Sequence, residues 1–170
     1  MPTKVFGMPA HVLLVHAVVV LVPLTCLALV LHAVWPAARS RLGIVTPILA
    51  LVSLVLVPIT TNAGKYLRDH QTVGGEIAAK IAKHEHLGSQ LLYYAVPLFL
   101  VAVAVWALGR YRDGAVVPGV AAERTAAREV PAWLSMGAAV VAIALAIATT
   151  IQLYRIGDSG AHAVWDGILH

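Results

Sequence analysis

The chain has 170 residues, 60% of them hydrophobic and only 12% charged, with a formal net charge of +4. Soluble domains carry about 25% charged residues, so a fully water-wetted surface is excluded and most of this chain must face lipid. The basic residues stand singly or in pairs at the ends of apolar runs, as membrane topology requires, and this sets nucleic acid aside as a partner.

A span needs about 20 apolar residues to cross a hydrocarbon core about 30 Å thick, which leaves room for four spans in one membrane domain. The first run covers 11–35 and follows Lys4. Its apolar core outlasts the 7–15 residues of a signal-peptide h-region and no A-x-A site follows, so it is expected to be an uncleaved span. Cys26, in the middle of this run, is the single cysteine. One thiol cannot form an internal disulfide or a multi-cysteine metal site, and Thr25 before it argues against a lipoprotein; a small lipid- or helix-facing residue is the plain reading.

The second span is expected over 42–61, preceded by Arg39 and Arg41 and containing Pro47 and Pro58, which membrane helices tolerate. Residues 62–90 are polar. Gly74-Gly75 marks a break, after which Ile77, Ile81, His84 and Gly88 follow the spacing of one helical stripe. This predicts an amphipathic segment that lies at the interface or extends the third span outward. The third span, 90–109, has Tyr93 and Tyr94 at one end and Trp106 at the other, matching interfacial aromatic belts. The fourth, 132–153, starts after Pro131, is bracketed by Trp133 and Tyr154, and carries many Ala with Gly137, suited to close helix packing. The expected architecture is all-α: an integral membrane four-helix bundle with an amphipathic segment between the second and third spans.

Four spans place connections alternately. His11, His16, His70, His84, His86, His162 and His170 fall on the face that holds both termini, and His32 alone on the other. Each face carries six Lys and Arg; three carboxylates on the second face and five on the first leave +3 and +1. The pairs Arg39/Arg41 and Arg110/Arg112 flank helix ends on the second face, which puts that face inside and the histidine face, with both termini, outside a bacterial inner membrane.

His16 lies five residues inside the first span, about 7–8 Å deeper than His11. Ionisable residues within spans are costly and face bundle interiors or watery cavities. The bland alternative is a neutral imidazole hydrogen-bonded to a neighbouring helix. His11 and His16 are about 140° apart around a helix, so any site must combine helices, and His84, on the stripe entering the third span, is the natural partner. Two schemes follow. In one, imidazoles among His16, His84, His11 and His86 hold a haem b between helices. In the other, His11, His84, His86 and His162 gather around a divalent metal or copper. Thr60, Thr61, Asn62, Thr149, Thr150 and Gln152 stand at the same level for supporting hydrogen bonds or for helix-to-helix bonding. No Ser/His/Asp arrangement inside a span, no phosphate-cradling glycine loop and no paired intramembrane carboxylate is present, so hydrolase and pump chemistry lack residues. A cofactor-free scaffold or accessory subunit, its histidines knitting the bundle, is the reading from a different class.

The segments from Phe6 through His11 to His16, from His84 to Gly88, and from Gly157 to Trp165 resemble the bacterial membrane proteins called domain of unknown function 2231. The resemblance covers essentially the whole chain. It implies a small four-span domain, sometimes joined to Rieske iron–sulfur domains, and hence electron transfer with a Rieske-type partner, although it implies no established activity. His11, His16 and His84 match positions where that family tends to have histidine. Val12 stands where a proline often follows the first histidine, and Asp158 where the family often has another histidine, so a ligand from the tail would have to be His162.

Overall fold

The computed structural model describes residues 4–5, 8–70, 74–112 and 130–165. His170, Asp166 and most of the segment after Arg112 lie outside the described residues. A two-residue antiparallel ladder, β1 (Lys4–Val5) with β2 (Met8–Pro9), leads into six helices: α1 (Ala10–Val34), α2 (Pro36–Leu42), α3 (Val45–Asp69), α4 (Gly75–Gln90), α5 (Leu92–Arg112) and α6 (Ala132–Trp165).

Four of these units are long and apolar enough to cross a membrane: α1, α3, α4 running into α5, and α6. In hydrocarbon every backbone N–H and C=O must be satisfied within the protein, and a helix does this locally. Pro23, Pro58 and Pro97 sit inside these helices without ending them. At 1.5 Å per residue the 25 residues of α1 reach about 37 Å, enough to span with some tilt.

The boundaries depart from the apolar runs in an informative way. The connection at 36–41 is itself helical: Pro36 occupies the first turn of α2, where its missing N–H costs nothing, and Gly43 ends it with φ +43°. Helix α3 runs eight residues past the expected end at 61, and α6 twelve past 153, because their polar ends keep helical partners in the bundle. Helix α4 begins at the expected Gly74-Gly75 break, and Leu91, bonded back three residues to Gly88 at 3.2 Å, passes the chain into α5.

The spans pack in the cyclic order α1, α3, α5, α6, with α6 closing back on α1 and α4 lying on α6. The seam is built of Leu29, Leu98, Val22 and Val57 interleaved with Ala50, Ala95, Ala102, Ala142 and Ala146. Small residues let helix backbones approach, which drives association where lipid is as apolar as leucine. Gly137 does not share this work, contrary to expectation: it is exposed, with nothing within 4 Å of where a Cβ would stand. Val20, Leu27, Val55, Leu100, Ile147 and Ile151 point outward, an apolar girdle that water would not tolerate and acyl chains do. Exposed Tyr93 and Tyr154 mark one rim and Trp35, Tyr111 and Trp133 the other. The chain is a multi-pass membrane protein.

Polar groups inside the bundle are paired. Thr25 and Ser53 share a hydrogen bond of 2.9 Å between α1 and α3, and Gln152 on α6 donates to the Leu87 carbonyl at 3.0 Å. Cys26 is a buried free cysteine, as the sequence suggests. At one end of the bundle, buried His32 meets Thr46 at 2.9 Å, and Arg39 caps α1 by donating to the His32 and Ala33 carbonyls. His11, Thr60, His84 and Ile156 gather at the opposite end.

Candidate functional site

At that end the four units enclose a cavity of about 870 Å³ with a largely apolar lining, at the upper part of the range for small-molecule and cofactor sites. Its walls carry His11 from the start of α1, Thr60 and Gly64 from α3, His84 and Gly88 from α4, and Ile156 and Gly160 from α6.

Two of its histidines are built in the same way. The Nδ1 of His11 lies 3.0 Å from the Thr60 carbonyl oxygen, on a different helix. The Nδ1 of His84 lies 3.0 Å from the Ile156 carbonyl, also on a different helix, and 3.1 Å from the Ser159 hydroxyl. A carbonyl only accepts, so each Nδ1 carries a proton and donates it, which leaves Nε2 as the ring nitrogen not spent on that bond. A helical carbonyl already receives one intrahelical N–H; a third party reaches its second lone pair only where the side chain one turn onward does not cover it. Four residues after Thr60 is Gly64, and four after Ile156 is Gly160. A Cβ on Gly64 would stand 2.9 Å from His11 Cε1, and one on Gly160 3.0 Å from His84 Cε1. Each imidazole therefore lies on a glycine and donates to the carbonyl one turn before it.

The two rings stand edge-to-face at the cavity, with centroids 6.4 Å apart and planes at 79°. Of the histidines singled out from the sequence, these are the two that the fold brings together. His16 is exposed at the cavity wall and turns its Nδ1 onto its own helix, 2.7 Å from the Val12 carbonyl. His86 is exposed, its Nε2 3.0 Å from the Gln90 amide nitrogen, and exposed His162 stands 3.6 Å from Asp158. The fold does not bring the expected set of His11, His84, His86 and His162 together, and among the described residues no group of three or more His, Cys, Asp or Glu side chains is placed to hold a metal ion. His86 lies two residues from His84, which turns it to the far side of α4, and His162 faces away from the cavity.

Among the threonines expected to support the site, Thr60 acts through its backbone, while its hydroxyl and those of Thr61, Thr149 and Thr150 bond carbonyls of their own helices. Gly64 and Gly160 carry the site and were not among the sequence candidates; their signal is a glycine in each of two helices where a histidine of another must land. Ile77, assigned to the α4 stripe, is exposed, whereas Ile81, His84 and Gly88 do line the cavity.

Comparison with protein-family models, with curated proteins and with solved structures finds no match to this chain.

Proposed function

We propose that this protein is a membrane-embedded haem b protein of the electron-transfer class, in which His11 and His84 would hold the cofactor. The observation that carries the reading is the relation of the two rings. They come from different helices, and each is fixed by the carbonyl of a further helix. Their ring centroids stand 6.4 Å apart at one cavity. Both rings keep Nε2 as the available nitrogen because both spend Nδ1 on a carbonyl, the arrangement that fixes tautomer and orientation in ligating histidines. Two imidazoles alone leave a zinc-type site short of its usual three or four protein ligands, whereas a porphyrin supplies the remaining four nitrogens itself.

Bound there, haem supplies one-electron exchange. The chain's part is to orient two imidazoles and to surround the slot with Val15, Val18, Val57, Leu91 and Leu153. The likeness to the domain of unknown function 2231 family, and a Rieske-type redox partner, belong to this same proposal. So does the orientation: with Arg39/Arg41 and Arg110/Arg112 inside a bacterial inner membrane, the haem face is the outer one.

The test is the visible spectrum of protein purified in detergent, with and without dithionite, alongside metal analysis. A Soret band that shifts on reduction is expected in the wild type and in His16→Ala, His86→Ala and His162→Ala, and is lost in His11→Ala and His84→Ala. A folded preparation that stays colourless after incubation with haem would leave the cofactor-free scaffold as the better reading.

A further inference from the structure

We infer that Arg68 is the carboxylate anchor of this cavity, the group that receives the propionate edge of a porphyrin and so sets which edge of the ring faces the rim. The inference rests on the haem reading and goes beyond it by assigning the ligand's in-plane orientation.

Among the described residues that line the cavity, Arg68 carries the one Lys or Arg head group. It stands one helical turn beyond Gly64 on α3, hence on the same face of that helix as the contact with His11 but farther out. Its side chain is 45% exposed, which places it at the mouth, where a charged carboxylate keeps its hydration, and not among the valines and leucines of the slot. Across the mouth Glu85, next to His84 on α4, accepts from the Arg68 Nη1; Asp69 accepts from Nε at 3.1 Å and Nη2 at 2.9 Å. A guanidinium has five N–H groups in a fixed fork suited to carboxylates, and these contacts commit three of them. The head group is thereby held over the opening with two donors to give.

The neighbouring carboxylates matter to the prediction. Glu85 and Asp69 together outweigh the one positive charge, so an incoming carboxylate is repelled by Glu85 as it approaches the two remaining N–H groups. Removing the Glu85 charge should therefore strengthen binding of a carboxylate-bearing ring and leave a neutral one unaffected.

Protein produced under haem limitation and purified in detergent is titrated with hemin and with hemin dimethyl ester, whose carboxylates are blocked. Wild type is expected to bind hemin on the order of tenfold more tightly than the ester, the scale of one charge-assisted contact at a wet rim. Arg68→Gln should bind both at the ester's level with the two-histidine spectrum intact, Arg68→Lys should keep part of the preference, and Glu85→Gln should enlarge it. Equal affinity of wild type for the two ligands, or an undiminished preference in Arg68→Gln, overturns the anchor while the haem reading stands. Failure of both ligands to give the two-histidine spectrum in wild type overturns the haem reading, and the anchor with it.

Discussion

Gly64→Ala tests the construction of the site without reference to any ligand. The added methyl would meet His11 Cε1 at 2.9 Å and Nδ1 at 3.1 Å. Carbon atoms in ordinary contact stand about 3.5–4.0 Å apart, so the ring must retreat by roughly half an ångström or more. That movement stretches or breaks the 3.0 Å bond to the Thr60 carbonyl. Losing such a bond costs about 0.5–1.5 kcal/mol, and crowding a packed site about 1–3 kcal/mol. Alanine returns about 0.8–1.0 kcal/mol over glycine in a helix interior. The balance is a destabilisation of about 0.5–3.7 kcal/mol. Gly137→Ala is the matched control: a Cβ there meets nothing within 4 Å, so it should stabilise by up to about 1 kcal/mol. Unfolding by dodecyl sulfate in mixed micelles, followed by tryptophan fluorescence, measures both variants. The opposite signs are the signature. If Gly64→Ala proves as stabilising as Gly137→Ala, His11 does not lie on Gly64 and the site as described is wrong.

The same titration checks the interior. Thr25→Val leaves the Ser53 hydroxyl without its 2.9 Å partner, and each of Thr25→Val and Ser53→Ala should cost about 0.6–1.7 kcal/mol, as interhelical hydrogen bonds in membrane bundles do. The double variant should cost less than the sum of the two; strict additivity would mean that the hydroxyls do not interact. Gln152→Leu removes the buried donor to the Leu87 carbonyl just before α4 passes into α5, at an expected cost of about 1–3 kcal/mol. Hydrogen exchange should quicken locally at 87–91, and unchanged protection there would show that Gln152 does not tie α6 to that turn.

Much of the architecture was legible before any coordinates. Apolar runs of span length become helices because lipid offers no partner for a free peptide group, so the element type follows from composition alone. The gathering of histidines toward one end follows from the alternation of four spans, and the break before α4 from the Gly74-Gly75 pair itself. The helix ends were less legible: α3 and α6 continue past their apolar runs, and Gly64, Arg68, Ile156 and Gly160, which line the cavity, stand on those extensions.

What the sequence by itself determined is a lipid-embedded four-span bundle, rich in imidazole at one end and tied by basic pairs at the other. It did not determine which imidazoles meet. His11 and His16 differ by a rotation of about 140°, and the azimuth of α1 about its own axis is set by packing against α3 and α6, not by anything within α1. Tertiary structure alone turned His11 toward His84 and left His16 on its own helix. It alone distinguished Gly64 and Gly160, pressed under imidazoles, from Gly137, which touches nothing. A glycine's missing side chain acquires meaning only from the group that occupies the space it vacates, and that group belongs to another helix.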